Sequence, residues 1–519
     1  MAVTVDDVLQ VVQRSLDSSD VERTALLLER HWGTLLHTDV PLLVRALATV
    51  KGPVVDRHPS LVLISEILQR LTPRARANGD AALAVVLSEI DTVDDPVARV
   101  GIGLSAQVAM RRRGMFAEGM RFGDERVETA IELGDPGQTV CGAPTAAVEL
   151  EAGLIHLLAG ELSAAAKHFA AAHHHPSPRV SHAYDAAGKL GLLHALRGDS
   201  SLAEIWLDRA GALARSATNW RFSAPQAQGI AAARMLLALD HLDWPAYHEH
   251  NSTAAIDYST ENWAYVLYAQ ARAALLLGNQ KVIIQEIRDY RDYLPHLFTP
   301  KGFIAVLLGS AESDLLLSCG DVESAELVAR GFGNHPLEVA AAARIRLSQG
   351  ELDRVAVSTA ESGWPSHISN RERLDLLLLG LTADLAQQPH TAHRHRLLDR
   401  IANELSRESH RTLFALAIND PSTIEQVGRY TDSDAVELLN KIDPPRPFTT
   451  IARPTKLTPR ETILLQQLAT SASIVEIAGE LHVTESTIRN HRKSLYRKLG
   501  ATSRSHAIEI ARYSGLIPG

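Results

Sequence analysis

Cysteine is almost missing from this chain: Cys141 and Cys319 are the only two in 519 residues. That is too few, and too widely spaced, for a disulfide framework or a cysteine-based zinc site, and it fits a reducing compartment. Aromatic residues make up only 5%, and no stretch shows the sustained alternation of a half-buried strand, which argues against a β architecture. No window approaches 18 apolar residues without a charge, so no membrane contact is expected. The N-terminus, MAVTVDDVLQVV, puts acids ahead of its apolar residues and predicts no signal peptide. The expected location is the cytoplasm. A phosphate-cradling GxxxxGK(S/T) loop is absent, as are a metal-ligand signature and a nucleophile–base set. The chain is therefore not read as an enzyme, and no cofactor is expected.

What is present is helix-forming sequence. At 519 residues, with 45% apolar and 22% charged side chains, the chain is too long for one core and predicts two or more globular domains. The net charge of −9 hides an asymmetry. Residues 451–519 carry 10 Lys and Arg against 5 Asp and Glu, whereas the remainder carries 42 against 56. A small basic module on a large acidic body fits a nucleic-acid reader at one end only.

Up to about residue 440, Ala and Leu dominate and a turn recurs between apolar helices. It falls at Gly160-Glu161, Gly198-Asp199, Leu242-Asp243, Gly278-Asn279, Gly320-Asp321 and Gly350-Glu351, at intervals of 38, 44, 36, 42 and 30 residues. Small and large residues recur at a spacing of four at the start of the second helix, as in Ala165 and Phe169 or Ala203 and Leu207. This pattern resembles tetratricopeptide-like repeats, without the Trp and Tyr usual in their first helix. It implies helix pairs stacked into a superhelix; the alternative is an irregular helical bundle.

Three clusters in the body invite functional readings. Residues 220–303 hold 12 of the 25 aromatics, and Trp220, Trp244, Tyr247, Trp263, Tyr265 and Tyr268 are candidates for the wall of a small-molecule pocket. The competing reading is that they fill gaps between helices. His173-His174-His175, with His168 one turn earlier, is a possible ligand set, but HHHPSP reads better as an exposed helix end, and no metal is assigned. Arg111-Arg112-Arg113 reads as a solvated helix face.

Ile442-Asp443-Pro444-Pro445-Arg446-Pro447 cannot continue a helix and predicts a semi-rigid spacer. The expected boundaries are a helical-repeat sensor or interaction domain over 1–441, a proline-rich linker over 442–455 and a small helical domain over 456–519. That last domain opens at Leu457. Thr458-Pro459-Arg460-Glu461 reads as a capping box with Pro at the first helical position, Ser473-Ile474-Val475-Glu476 as a second box, and Thr484 as the cap of a third helix. On the third helix Ile488, Leu495 and Leu499 fall on one arc and would pack on Ile463, Leu464, Leu468, Ile477 and Leu481. Arg489, Asn490 and Lys493 fall on another, roughly 150° away at 100° per residue. Arg489 and Lys493 suit guanine and Asn490 adenine. Thr484, Ser486, Thr487, His491, Arg497 and Lys498 are candidate phosphate contacts.

At these residues the chain resembles the LuxR-type helix-turn-helix family. The resemblance rests on LTPRE (457–461), EIA (476–478), TIRNH (487–491), LYRKLG (495–500) and TSR (502–504). It implies a four-helix domain that binds double-stranded DNA as a homodimer. The last helix, about Ser503 to Ser514, would supply dimer contacts at Ala507, Ile510 and Ala511. Ser471 and Ser486 stand where Gly is frequent, and Ile474-Val475 replaces a pair that is usually polar.

A helical N-terminus excludes a phosphoacceptor receiver, and the missing P-loop excludes the ATPase of the maltotriose-activator type. Residues 29–68, spaced from Trp32 to Pro59, are similar to the segment that follows that ATPase. The overall expectation is an all-α chain: a tetratricopeptide-like superhelix followed by a four-helix LuxR-type domain. It would regulate transcription with RNA polymerase as partner and an unknown small-molecule or protein effector. The rival is a helical-repeat scaffold that binds a protein partner, with DNA binding secondary.

Overall fold

The computed structural model describes residues 5–513 apart from 69–72, 133–143, 176–179, 217–223, 255–260, 300–301, 366–367, 388–390, 408–412, 432, 449–456, 471–472, 482, 500 and 502. Trp220 and Ser471 lie outside the described residues. Twenty-nine α-helices follow one another with no strand among the described residues, and none of these helices is long and apolar enough to cross a membrane.

Each of the six recurring turns adopts left-handed backbone. Gly160, Gly198, Gly278, Gly320 and Gly350 have φ of 88°, 75°, 85°, 81° and 76°, and Leu242, the one non-glycine, has φ 53°. Glycine ends a helix this way without the Cβ clash that other residues suffer. Leu242 accepts that clash because its side chain is only 6% exposed inside the core. Each turn separates two antiparallel helices, as in Pro144–Ala159 with Leu162–His174 and Val180–Arg197 with Ser200–Ser216.

The small-to-large spacing has a physical cause in these two pairs. Ala165, Phe169, Ala203 and Leu207 are all buried. A Cβ added at Gly153 would stand 2.6 Å from the Phe169 ring, and one at Gly191 would stand 2.7 Å from Leu207. The first helix of each pair thus drops its side chain where the second inserts its large one.

The repeats contact more than their sequence neighbours. Helix Asn370–Gln387 returns to the second and third repeats, where Arg371 donates to Asp240 of helix Ala224–Asp240 at 2.6 and 2.7 Å and to the Ala195 carbonyl at 3.0 Å. Gly198 makes this approach feasible, since a Cβ there would lie 3.2 Å from the Arg371 amide nitrogen. A single apolar core accordingly runs from Phe116 to Leu439. It encloses charge: Arg344 pairs with Asp314 at 3.0 Å and also with Asp375, and Asn419 donates to Asp375 at 3.2 Å.

The arginine run corrects the sequence expectation. Arg111 and Arg113 are each 8% exposed. Arg111 pairs with Glu151 at 3.0 Å and with Glu261, and Arg113 with Glu66 at 3.1 Å. Arg112 donates to the Glu66 carbonyl. Buried charge is tolerated only when paired, and these partners come from other helices, out of sight of local sequence.

Helix Asp434–Ile442 stops at Asp443, which has φ 44°. The described start of the proline-rich stretch lies on the body: the Arg446 guanidinium donates to the Ala417 carbonyl at 3.4 Å, and the Phe448 ring sits 5.4 Å from the Arg344 guanidinium carbon. From Leu457 a separate core gathers Leu464, Leu465, Leu468, Ile477, Ala478, Ile488, Leu495, Ala507 and Ala511.

Candidate nucleic-acid interface

Two capping boxes fix the first two helices of the C-terminal module. In helix Pro459–Ala469 the Thr458 hydroxyl accepts from the Glu461 amide at 3.3 Å, and Glu461 accepts from the Thr458 amide at 2.8 Å. In helix Ile474–Glu480, Ser473 and Glu476 repeat the exchange at 3.2 and 2.6 Å. The backbone N–H of Ser473 holds the Glu476 carboxyl below its ordinary range. Each box satisfies donors that a helix start leaves unpaired, worth about 1 kcal/mol.

The third helix, Glu485–Leu499, opens on Thr484, whose hydroxyl accepts from the Thr487 amide at 3.3 Å and lies 2.8 Å from the Ser486 hydroxyl. Ile488 and Leu495 are 2% and 0% exposed and form its inner face. Arg489, Asn490 and Lys493 are exposed, as are Thr484 and Ser486, while Thr487 and His491 are half-buried at the margin. The side chains of Arg497, Lys498 and Leu499 lie outside the described residues. The inner face packs largely on the expected residues, with Leu481 only partly buried. Ile463 is the exception: it is 43% exposed, and Leu465 takes its place in the core.

Three functional details escaped the sequence reading. Glu461 accepts from the Ser494 hydroxyl at 3.3 Å, tying the first helix's cap to the third helix. Arg504 donates to the Leu468 carbonyl at 3.0 and 2.7 Å, closing the end of the first helix with a cation from the last. Glu485 accepts from Arg489 at 3.1 Å. Only the last pair, four apart on one helix, had a sequence signal that could have revealed it.

Two sets of residues are placed differently from their expected roles. Ala507 and Ala511, on helix Arg504–Tyr513, are 1% and 0% exposed. They pack inward on the module's own core and offer no surface to a partner; the Ile510 side chain lies outside the described residues. In the body, Tyr247, Trp263, Tyr265 and Tyr268 are 3%, 1%, 1% and 3% exposed. Trp263 stacks on Tyr290 with centroids 4.6 Å apart, and half-buried Trp244 sits edge-on to Tyr247. These rings are packing of the repeat core, where large flat side chains fill irregular gaps between helices. The histidine run is also engaged in the fold: His173 Nδ1 lies 3.0 Å from the Ala183 carbonyl, and its ring meets Trp206 edge-on.

A family model described as bacterial regulatory proteins, luxR family, matches residues 455–511. Over 63 residues the chain is 40% identical to the transcriptional regulatory protein YdfI of Bacillus subtilis, covering 12% of this chain and 30% of that protein. It is 42% identical over 52 residues to the probable HTH-type transcriptional regulator GfsR of Streptomyces halstedii, covering 10% and 21%. The chain thus spans less than a third of the length of these two relatives. Against the spore germination protein GerE of Bacillus subtilis the identity is 40% over 61 residues, which is 12% of this chain but 82% of GerE. The GerE match takes in most of that protein and the family model falls on the capped helices just described, so the chain belongs to the luxR family of bacterial regulatory proteins.

Proposed function

We propose that the protein is a sequence-specific DNA-binding transcriptional regulator that docks the helix Glu485–Leu499 in the major groove. The observation that carries this reading is the division of that helix. Ile488 and Leu495 are buried in the module's core, while Arg489, Asn490 and Lys493 stand together on its exposed side. An inner face that fixes the helix and an outer face of bidentate donors is what base readout in the major groove requires. Thr484, Ser486, Thr487 and His491 lie beside that face and take the phosphates, joined by Arg497 and Lys498 from the helix's last turn. The protein binds an inverted repeat as a homodimer, and since Ala507 and Ala511 point inward, the last helix contributes its outward face, where His506 is exposed. RNA polymerase is the partner through which binding is converted to transcription.

The body senses an effector. In place of the aromatic cluster, support comes from a cleft of about 470 Å³ near the N-terminus, lined by Arg23, Arg30, Arg57, His58, Ser60 and Ile102 among others. That volume lies within the range of small-molecule sites; its lining sets Arg23, Arg30 and Arg57 against Glu29, Glu89 and Asp95, which suits a polar ligand carrying both donors and acceptors.

Binding-site selection on the full-length protein, compared with residues 450–519, tests the reading. The expected outcome is a symmetric site and an affinity whose logarithm falls with log salt by about 0.9 per phosphate contact. Selection that yields no preferred sequence, or an Arg489→Ala variant with unchanged affinity and preference, sinks it. A thermal-shift titration of small polar metabolites tests the sensor, which ligand binding stabilises by mass action.

A further inference from the structure

We propose that Asp124, His156 and His168 form a binding site for a divalent transition metal of the zinc class, pinning three helices of the repeat body together. The three residues are far apart in sequence and sit on helices Phe116–Glu132, Pro144–Ala159 and Leu162–His174. One oxygen or ring nitrogen from each converges within 4.8 Å of the others.

The chemistry of the His168 ring points to a cation between these donors. Its Nδ1 lies 2.6 Å from Glu149 Oε2 and its Nε2 lies 3.2 Å from Asp124 Oδ1. Once the Nδ1 proton is given to Glu149, Nε2 presents a lone pair to an oxygen that also presents one. A positive centre must lie between them, either a proton or a metal ion. The metal alternative reproduces the carboxylate–histidine–metal relay in which an outer carboxylate sets the tautomer of a ligating imidazole.

His156 supplies the third donor. Its Nε2 lies 3.0 Å from the same Asp124 Oδ1, and its ring is stacked on that of His168 with centroids 5.0 Å apart and planes 23° apart. His156 can meet this oxygen as a neutral ring donating Nε2–H, or it can present an Nε2 lone pair there beside that of His168. In the second arrangement a single ion shared by all three donors is the positive centre that both rings require. Donors bonded to tetrahedral zinc at 2.0–2.1 Å stand about 3.3–3.4 Å apart, close to the 3.0 and 3.2 Å found here. His156 Nδ1 has no hydrogen-bond partner among the described residues, so its tautomer is not fixed from that side. Asp124 and Glu149 bring two negative charges to a dication, leaving the cluster neutral overall.

The fold builds this arrangement. Glu149 and His156 lie two turns apart on one helix face, with Gly153 between them. A Cβ at 153 would stand 3.2 Å from His168 Cβ, so the missing side chain lets His168 settle over that face. The side chains of His156, Glu149 and His168 are 9%, 9% and 17% exposed, and that of Asp124 is 49% exposed. An ion therefore enters from the Asp124 side, and three protein ligands leave a fourth position for water or an oxygen donor. Two imidazoles and a carboxylate suit zinc, cobalt and nickel better than calcium or magnesium.

The test is titration of the chelator-stripped full-length protein with Co²⁺ alone, followed by visible d–d absorption. The expected result is one equivalent per chain with the bands of a four- or five-coordinate site, displaced by Zn²⁺. The bands should be lost in Asp124→Asn and His168→Gln and retained when His173, His174 and His175 are all replaced by Gln. Asp124→Asn, at a half-exposed position, decides the matter if His168→Gln does not fold by far-UV circular dichroism. Absence of bands at excess Co²⁺, their survival in folded Asp124→Asn, or their loss with the histidine run overturns the proposal.

Discussion

Glu485 holds the guanidinium of Arg489 across one turn of the third helix, with Nη2 donating to Oε2 at 3.1 Å. Both side chains are largely exposed, at 61% for Arg489 and 47% for Glu485, and such a pair on a helix surface is worth only about 0.3–0.5 kcal/mol. The contact positions Arg489 without trapping it, since a guanine edge offers two acceptors where Glu485 accepts one bond. The carboxylate also lies at the helix start, where it would repel phosphate.

Replacing Glu485 with Gln should therefore tighten DNA binding several-fold at low salt, with the gain fading as salt is raised. Arg489→Ala should cost roughly 1–3 kcal/mol and relax preference at one base position. Fluorescence-anisotropy titrations on the selected site and on a point-substituted site measure both. Tighter binding by Arg489→Ala would show that this side chain does not read bases.

Glu461 links the first and third helices through Thr458 and Ser494 and is 4% exposed. Glu461→Ala removes the acceptor of the Thr458 amide and the Ser494 hydroxyl, at about 0.5–1.5 kcal/mol for each bond. Hydrogen exchange over residues 457–513 should rise in this variant while the repeat body keeps its protection. Unchanged exchange would mean that neither this capping box nor the Ser494 contact orders the module.

Arg371 and Asp240 are buried together, with side-chain exposures of 8% and 4%. Arg371→Ala leaves a carboxylate without its cation in the core, which should destabilise the body by about 3–5 kcal/mol. Burial already pushes the Asp240 carboxyl above its ordinary range despite the arginine. The double variant Arg371→Met with Asp240→Leu should recover most of the loss in urea unfolding. Failure to recover would point to the Ala195 carbonyl contact as the dominant one.

His58 gives a pH signature. Its hydrogen bond to Glu29, at 2.9 Å, raises its pKa above the ordinary 6.5, outweighing burial, which lowers it. A group whose folded pKa is raised stabilises the fold fully below its unfolded value, and that contribution is lost as pH rises through the folded value. The difference in melting temperature between wild type and His58→Gln should be greatest under mildly acid conditions and shrink from about pH 6.5 upward. A difference that grows with pH would reverse the assignment.

Much of this was legible locally. The six turns were marked by Gly or by an acidic or amide residue after an apolar run, and the structure gives every one of them left-handed backbone. The capping boxes at Thr458 and Ser473 and the two arcs of the third helix were equally readable, because each depends on residues three or four positions apart. Packing between distant segments was not. Ala507 and Ala511 were expected at a dimer surface from the family resemblance alone, and their burial in the module's own core turns them inward.

The sequence by itself determined where helices begin and end and which face of the third helix is polar, since backbone sterics, capping and helical periodicity act within a few residues. Only the tertiary structure decided that Arg111 and Arg113 are buried, that Trp263 and Tyr265 are core, and that Asp124, His156 and His168 share one point. The partners of those side chains lie on other helices, and charge or polarity in a sequence does not reveal what will be folded against it.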